Sequence, residues 1–219
     1  MRNFQLFVKR TFDLMCGIIL LILMTVIPLL IVIPIIIRLT SKGPAIFTQE
    51  RSGKDGKVFK IYKFRTMLLP EESINPDGSP MTPAQRITKV GRILRKTSLD
   101  EIAQIFNIIN GTMSLVGPRP TLPYQIERYT DRQLRRLAMR PGVTGWAQVN
   151  GRNDLTWTEK IEFDLEYIEK FSLWLDIKIL FRTVLVVLKQ DGIAFTQTDD
   201  VINAKESATT LEKELATKP

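Results

Sequence analysis

The chain is 219 residues long, carries 31 Lys and Arg against 23 Asp and Glu for a net charge of +8, and contains no histidine and one cysteine. That length suits one ordinary core plus one membrane element, and the positive balance favours partners that carry phosphate: nucleotides, anionic lipid headgroups or nucleic acid. The missing histidine excludes a Ser-His-Asp triad and leaves carboxylates, Lys, Ser, Thr and Tyr for catalysis; a lone Cys16 excludes an intrachain disulfide or multi-cysteine metal site, so any metal is expected to be a hard ion held by oxygens, Mg²⁺ foremost.

Residues 14–37, LMCGIILLILMTVIPLLIVIPIII, are 24 residues without a charge. At about 1.5 Å per residue, a helix of that length reaches across a bilayer core of roughly 30 Å. A secretory signal has a shorter apolar region and a small-residue cleavage site, and nothing of that kind follows Ile37. Lys9 and Arg10 precede the run while Arg38 and Lys42 follow it, so the positive-inside rule assigns no direction. Pro28 and Pro34 each remove a backbone donor and bend a helix. A bent helix that enters and leaves on one face accommodates both observations; so does a spanning helix with tolerated prolines.

Beyond the run, SKGP at 41–44 reads as a turn, and AIFTQERSGKDGKVFKIYKFRTM alternates apolar and polar residues around KDGK, which predicts a β-hairpin. ESINPDGSPMTP, at 72–83, predicts an exposed loop. Residues 84–111 show helical spacing through Ile87, Val90, Ile93 and Leu94, a break near Thr97, and a second helix ending at Asn110-Gly111, with Asp100 and Glu101 at the junction. Three prolines and a glycine in SLVGPRPTLP, 114–123, predict a rigid loop. A polar helix over YQIERYTDRQLRRLAMR and a loop-rich PGVTGWAQVNGRN, 141–153, come next. Residues 157–189 hold two further helices, of which SLWLDIKILFRTVLVVLK suits either a core or the headgroup plane. The expected organisation is a membrane helix over 1–40, a catalytic domain over 41–202 and a polar tail over 203–219, in an α+β, predominantly helical fold.

Four groups of residues bear on chemistry. Ser98-Leu-Asp-Glu101 fits a capping box, with Ser98 capping a helix and Glu101 reaching back. Arg92, Arg95 and Lys96 just upstream, together with the helix N-terminus, favour ionised carboxylates and bound phosphate in one small volume. Arg119 stands between two prolines in Gly117-Pro118-Arg119-Pro120, which aims a guanidinium whose planar fork matches phosphate oxygens; an exposed turn arginine is the plainer reading. Lys60, Lys63 and Arg65 alternate along the second hairpin strand, on a face that is either solvated or turned to phosphate. Gly142 to Asn153 offers glycines for close approach, Trp146 for stacking, and Gln148, Asn150 and Arg152 for base or sugar recognition. Its glycine spacing is neither that of a dinucleotide-binding fold nor that of a P-loop.

Taken in order, KRTFD before the membrane run, FKIYKFRTM, TSLDE, MSLVGPRP, RPGVTGWAQVNGR and LDIKIL resemble the bacterial sugar transferase family, the monotopic polyprenyl-phosphate phosphoglycosyl transferases, in the form reduced to the catalytic domain. The resemblance covers residues 8–189. It implies that Asp100 attacks the β-phosphate of a UDP-sugar, expels UMP and passes the phosphosugar to a polyprenyl (undecaprenyl) phosphate in a ping-pong reaction, the first membrane step of glycoconjugate synthesis. It implies Mg²⁺ near Asp100 and Glu101, a role for Glu101 toward the lipid phosphate, and phosphate binding by Lys63, Arg65, Arg95 and Arg119. It also implies a re-entrant helix with both ends in the cytoplasm, at the bacterial plasma membrane among its lipids. The family usually bends at a Ser-Pro pair; here the region reads Thr25-Val26-Ile27-Pro28, which leaves the hinge open by a few residues.

The resemblance favours an N-acetylated or diacetamido UDP-sugar, with UDP-glucose or UDP-galactose as alternatives, no nucleic-acid partner, and is compatible with a homodimer. Two competing classes make different predictions. A membrane-tethered polyanion-binding protein would bind more tightly as salt falls and release no UMP. A glycosyltransferase or glycosidase would release UDP or free sugar.

Overall fold

The computed structural model describes residues 2–26, 28–151 and 155–189. Arg152, Ile27 of the expected hinge and the 203–219 tail lie outside those residues. Two helices open the chain, α1 (Arg2–Val26) and α2 (Leu29–Thr40). Among the described residues no single helix is both long and apolar enough to cross a membrane; Asn3–Met24 and Leu29–Thr40 meet that test only as a pair, inclined by 60°. The break falls at Pro28, whose carbonyl accepts from the amides of Ile31 and Val32 and so starts α2, while Pro34 is accommodated inside α2. Of the two candidate bends, the first is the one used.

The hairpin forms as expected: β1 (Ile46–Ser52) and β2 (Val58–Phe64) pair antiparallel with Ile46 opposite Phe64 and Ser52 opposite Val58. Its turn places Asp55 and Gly56 at φ 57° and 73°, a left-handed pair for which Asp and Gly are suited. Side chains alternate across a strand, so Lys60 and Lys63 stand on opposite faces, and the expected common face for Lys60, Lys63 and Arg65 is not formed. Lys60 is exposed, whereas Arg65 is buried.

Helix α3 (Lys89–Lys96) begins later than its apolar spacing suggested, because Thr88 caps it by accepting from the Gly91 amide at 2.8 Å and Ile87 is taken into a β-bridge with Met67. A 3-10 helix follows at Leu99–Gln104, then α4 (Ile105–Ile109). The segment expected to be a rigid loop after it contains β3 (Ser114–Val116), and the loop-rich glycine segment contains β4 (Gly142–Thr144) and α7 (Trp146–Asn150). These two strands pair in parallel, Ser114 with Gly142 and Val116 with Thr144. Gly117, Gly142 and Gly145 make the pairing possible, since a Cβ on any of them would stand 2.1–2.3 Å from backbone atoms of the facing segment.

The single polar helix expected over 124–140 is instead α5 (Pro123–Ile126), α6 (Asp131–Leu134) and a 3-10 turn (Arg135–Ala138). Thr130 restarts the chain as an N-cap, in a reciprocal cap with Gln133. Helices α8 (Trp157–Glu169) and α9 (Leu173–Lys189) complete the described chain.

Among the described residues, three clusters make up the core. Ile33 and Ile37 of α2 pack with Ala45, Phe64 and Leu94, and Leu29, Leu30, Leu99 and Ile102 border them. Val116, Met139, Tyr167, Ile168 and Ile179 join β3 to α8 and α9. Ile61, Ile108 and Met113 bind the hairpin to α4. The result is an α+β, mainly helical fold in which the acid pair lies against the β1–β2 hairpin.

Candidate active site

Asp100 and Glu101 lie in the first turn of the 3-10 helix, immediately after Ser98, whose φ of 56° is left-handed and which makes no side-chain cap. The expected capping box is therefore absent. With its φ on the left-handed side, Ser98 ends α3 rather than capping the next helix, and Glu101 turns to Lys63 instead. In a 3-10 helix residues three apart lie above one another. Leu99 and Ile102 thus face the cluster on α2, while Asp100 and Glu101 stand over Ala103 and Gln104, both buried.

Glu101 Oε1 accepts from Lys63 Nζ at 2.8 Å and lies 3.7 Å from Arg119 Nη1. Arg95, in the last turn of α3, donates from Nε to Thr66 Oγ1 at 2.9 Å. Burial pushes the Asp100 carboxyl up to about 6, and the neighbouring Glu101 adds to the rise, against the opposing pull of Lys63 and Arg95. The structure thus brings five of the expected site residues together: Asp100, Glu101, Lys63, Arg95 and Arg119. They come from β2, α3, the 3-10 helix and the loop after β3.

The remaining described candidates make other contacts. Arg65 is 5 % exposed and ties its guanidinium to the Lys42 carbonyl, to the Ser41 carbonyl at 3.0 Å and to Ser41 Oγ at 2.9 Å, clamping the end of α2. Asn150 accepts from Arg182 at 2.9 Å and donates to the Trp146 carbonyl at 2.8 Å, so it joins α7 to α9. Trp146 donates to Glu166 at 2.9 Å, and the cations of Lys178 and Arg182 lie 5.6 and 5.3 Å from its ring centre; the ring is occupied by protein rather than open for stacking. Both amide atoms of Gln148 are buried and without a hydrogen-bond partner among the described residues.

Several residues that hold the structure together carry no clear signal in the sequence. Asn107 is 1 % exposed and acts as an extra strand residue on β2, accepting from the Tyr62 amide at 3.0 Å and donating to the Lys60 carbonyl at 2.8 Å. Arg136 is buried between Asp164, the Tyr129 hydroxyl at 2.7 Å and the Arg119 carbonyl at 3.1 Å. Lys9, Asp13 and Asp176 form a buried ionic group. A charge inside an apolar pattern, as Asp176 is within SLWLDIKILF, was the available signal, but its partner lies 167 residues away.

The donor set also bears on a metal. Among the described residues no three His, Cys, Asp or Glu side chains gather in one place. Magnesium is commonly held by one or two carboxylates, with substrate phosphates and water completing its shell, and Asp100 with Glu101 fits that arrangement.

Fold and site together define an α+β protein that sets a half-buried acid pair among three cations, beside a bent apolar helix pair. The family model described as bacterial sugar transferase matches residues 4–190, and the chain belongs to that family. It is 45% identical over 188 residues, 86% of this chain and 91% of the relative, to an uncharacterized sugar transferase, EpsL, of Bacillus subtilis. It is 42% identical over 205 residues to the undecaprenyl-phosphate galactose phosphotransferase of Salmonella typhimurium, covering 85% of this chain and 41% of that one. With the UDP-glucose:undecaprenyl-phosphate glucose-1-phosphate transferase of Escherichia coli the identity is 43% over 185 residues, 80% of this chain and 39% of that one. The chain thus spans about two fifths of the length of these two transferases.

Proposed function

We propose that this protein is a phosphoglycosyl transferase that moves a sugar 1-phosphate from a UDP-sugar to a polyprenyl phosphate, such as undecaprenyl phosphate, and releases UMP. The observation that carries the reading is the half-buried Asp100–Glu101 pair faced by Lys63, Arg95 and Arg119. An acid with a pKa near 6 is ionised at neutral pH yet more basic than an ordinary aspartate, which suits a nucleophile. Three cations around the pair offset the charge of an incoming diphosphate.

In the first step an Asp100 oxygen bonds to the β-phosphorus as the bond from that phosphorus to the bridging oxygen breaks, and UMP leaves with the electron pair. In the second, an oxygen of the polyprenyl phosphate attacks the same phosphorus and Asp100 departs as a carboxylate, leaving a polyprenyl diphosphate sugar. The sugar C1–oxygen bond is untouched throughout, so the anomeric configuration persists. Arg119, on its proline-flanked loop, binds phosphate oxygens; Lys63 orients Glu101 toward the acceptor phosphate. Asp100 and Glu101 would hold a Mg²⁺ ion, which when bound neutralises charge on the diphosphate.

Asp100→Asn is expected to abolish UMP release from every UDP-sugar, and an active Asp100→Asn enzyme would remove the nucleophile assignment. Nucleotide product decides between classes, because UDP in place of UMP would indicate a glycosyltransferase. The names of the Salmonella and Escherichia relatives put UDP-galactose and UDP-glucose in the screen beside N-acetylated and diacetamido sugars.

The membrane element is, on this reading, re-entrant with both ends on the cytoplasmic face, and the 60° bend between α1 and α2 supports its re-entrant form. Cysteines placed at Asn3 and at Ser41 should both resist an impermeant reagent added outside intact cells. Labelling at one of them alone would indicate a span.

A further inference from the structure

Strand β3 ends at Val116, directly before Gly117-Pro118-Arg119, so whatever holds β3 fixes where the Arg119 guanidinium stands. Two aspartates from distant helices do so. Asp13 of α1 accepts from Ser114 Oγ at 2.7 Å and from the Leu115 amide at 3.1 Å. Asp176 of α9 accepts from the Tyr167 hydroxyl at 2.7 Å, and that hydroxyl also stands 3.4 Å from the Val116 carbonyl oxygen. Lys9 bridges the two acids, 2.6 Å from Asp176 and 4.0 Å from Asp13. None of Lys9, Asp13, Ser114, Tyr167 and Asp176 is more than 6 % exposed. From the other side, Arg136 holds the Arg119 carbonyl itself.

Burying one ammonium and two carboxylates is costly, and apolar residues of like size often serve stability as well. What the ionic arrangement adds is direction: its hydrogen bonds to the rest of the described chain end on β3 and on Tyr167, which touches β3. The geometry points to Lys9, Asp13 and Asp176 as positioning residues for the transfer reaction, which set Arg119 against Glu101 by fixing β3 between α1 and α9. The helix that opens the chain is thereby part of the machinery that shapes the site. This inference rests on the phosphate-binding role of Arg119 given above.

A double-mutant cycle tests it. Ser114→Ala removes one hydrogen bond to Asp13 and little volume. It is expected to lower kcat for UMP release about tenfold, within the range that a small misplacement of a binding group costs, while flotation with phosphatidylglycerol liposomes is unchanged. In an Arg119→Lys background, where the guanidinium fork is gone, the same substitution should cost less than about twofold. Losses that multiply fully in the double variant would overturn the positioning role, and so would a wild-type kcat in Ser114→Ala together with a wild-type kcat in Lys9→Met/Asp176→Asn, which removes both charges of the closest pair at once. If that charge-removal variant shows no cooperative thermal transition, the Ser114→Ala cycle alone decides the matter. A wild-type rate in Arg119→Lys itself would instead sink the reading of Arg119.

Discussion

The two adjacent acids carry different loads. Glu101 is paired with Lys63 and near Arg119, whereas Asp100 is held up near 6 by burial and by Glu101, with Lys63 and Arg95 pulling it down. Because a nucleophilic carboxylate acts only when ionised, kcat/KM is expected to fall as pH drops through about 6, on an acid limb that belongs to the coupled pair. The signs of the neighbours give the check. Lys63→Met removes a charge that favours the ionised form, so the limb should move to higher pH; Glu101→Gln removes one that opposes it, so the limb should move to lower pH, whatever the residual rate. A pH–rate profile whose limb stays in place in both variants would mean that Asp100 is not the group that titrates.

Among the elements, α3 is placed by the closest backbone approach to the site. A Cβ on Gly91 would meet the Thr66 carbonyl oxygen at 2.0 Å, and backbone cannot yield as a side-chain end can. Gly91→Ala should therefore push α3 off the end of the hairpin, at a cost of about 1–3 kcal/mol, and break the Arg95–Thr66 hydrogen bond. A thermal midpoint in detergent at the wild-type value would show that α3 shifts freely. Elements also mark how far the sequence could be read. The β1–β2 hairpin, α8 and α9 were legible because their periodicity and turn residues are local. The β3–β4 pair was not: SLV and GVT are too short to show a period, and they pair in parallel across 28 residues of chain on contacts that only glycine permits. The acid pair was placed correctly beside Arg95, but its capping box failed because Lys63 competes for Glu101 from another element, and a local motif cannot register a partner 38 residues away. Arg65's contacts were not legible for the same reason: its partners, Ser41 and Lys42, belong to the end of α2 and the turn after it.

At the scale of the molecule, most of the large exposed apolar side chains among the described residues lie on α1, α2 and α9, among them Phe4, Phe7, Ile18 and Ile22 on α1, Ile31 and Ile35 on α2, and Trp174, Phe181 and Leu188 on α9. Water alone is a poor solvent for so much apolar surface, and a bilayer is the environment that fits it. Leu29, Leu30 and Ile33 of α2 share a packed cluster with Leu99 and Ile102, the residues on either side of Asp100 and Glu101. The turn that carries the carboxylates therefore rests on the same apolar layer that a membrane would support, and a change in the depth of α2 reaches that turn by steric contact. Acyl-chain length then becomes a control on turnover: in proteoliposomes of short-, medium- and long-chain phosphatidylcholine the rate is expected to peak at one thickness, at equal amounts of bound protein. A rate indifferent to thickness would mean the turn and the bilayer are mechanically separate; a peak would make the lipid, for this fold, a physical part of how the acid pair is aimed.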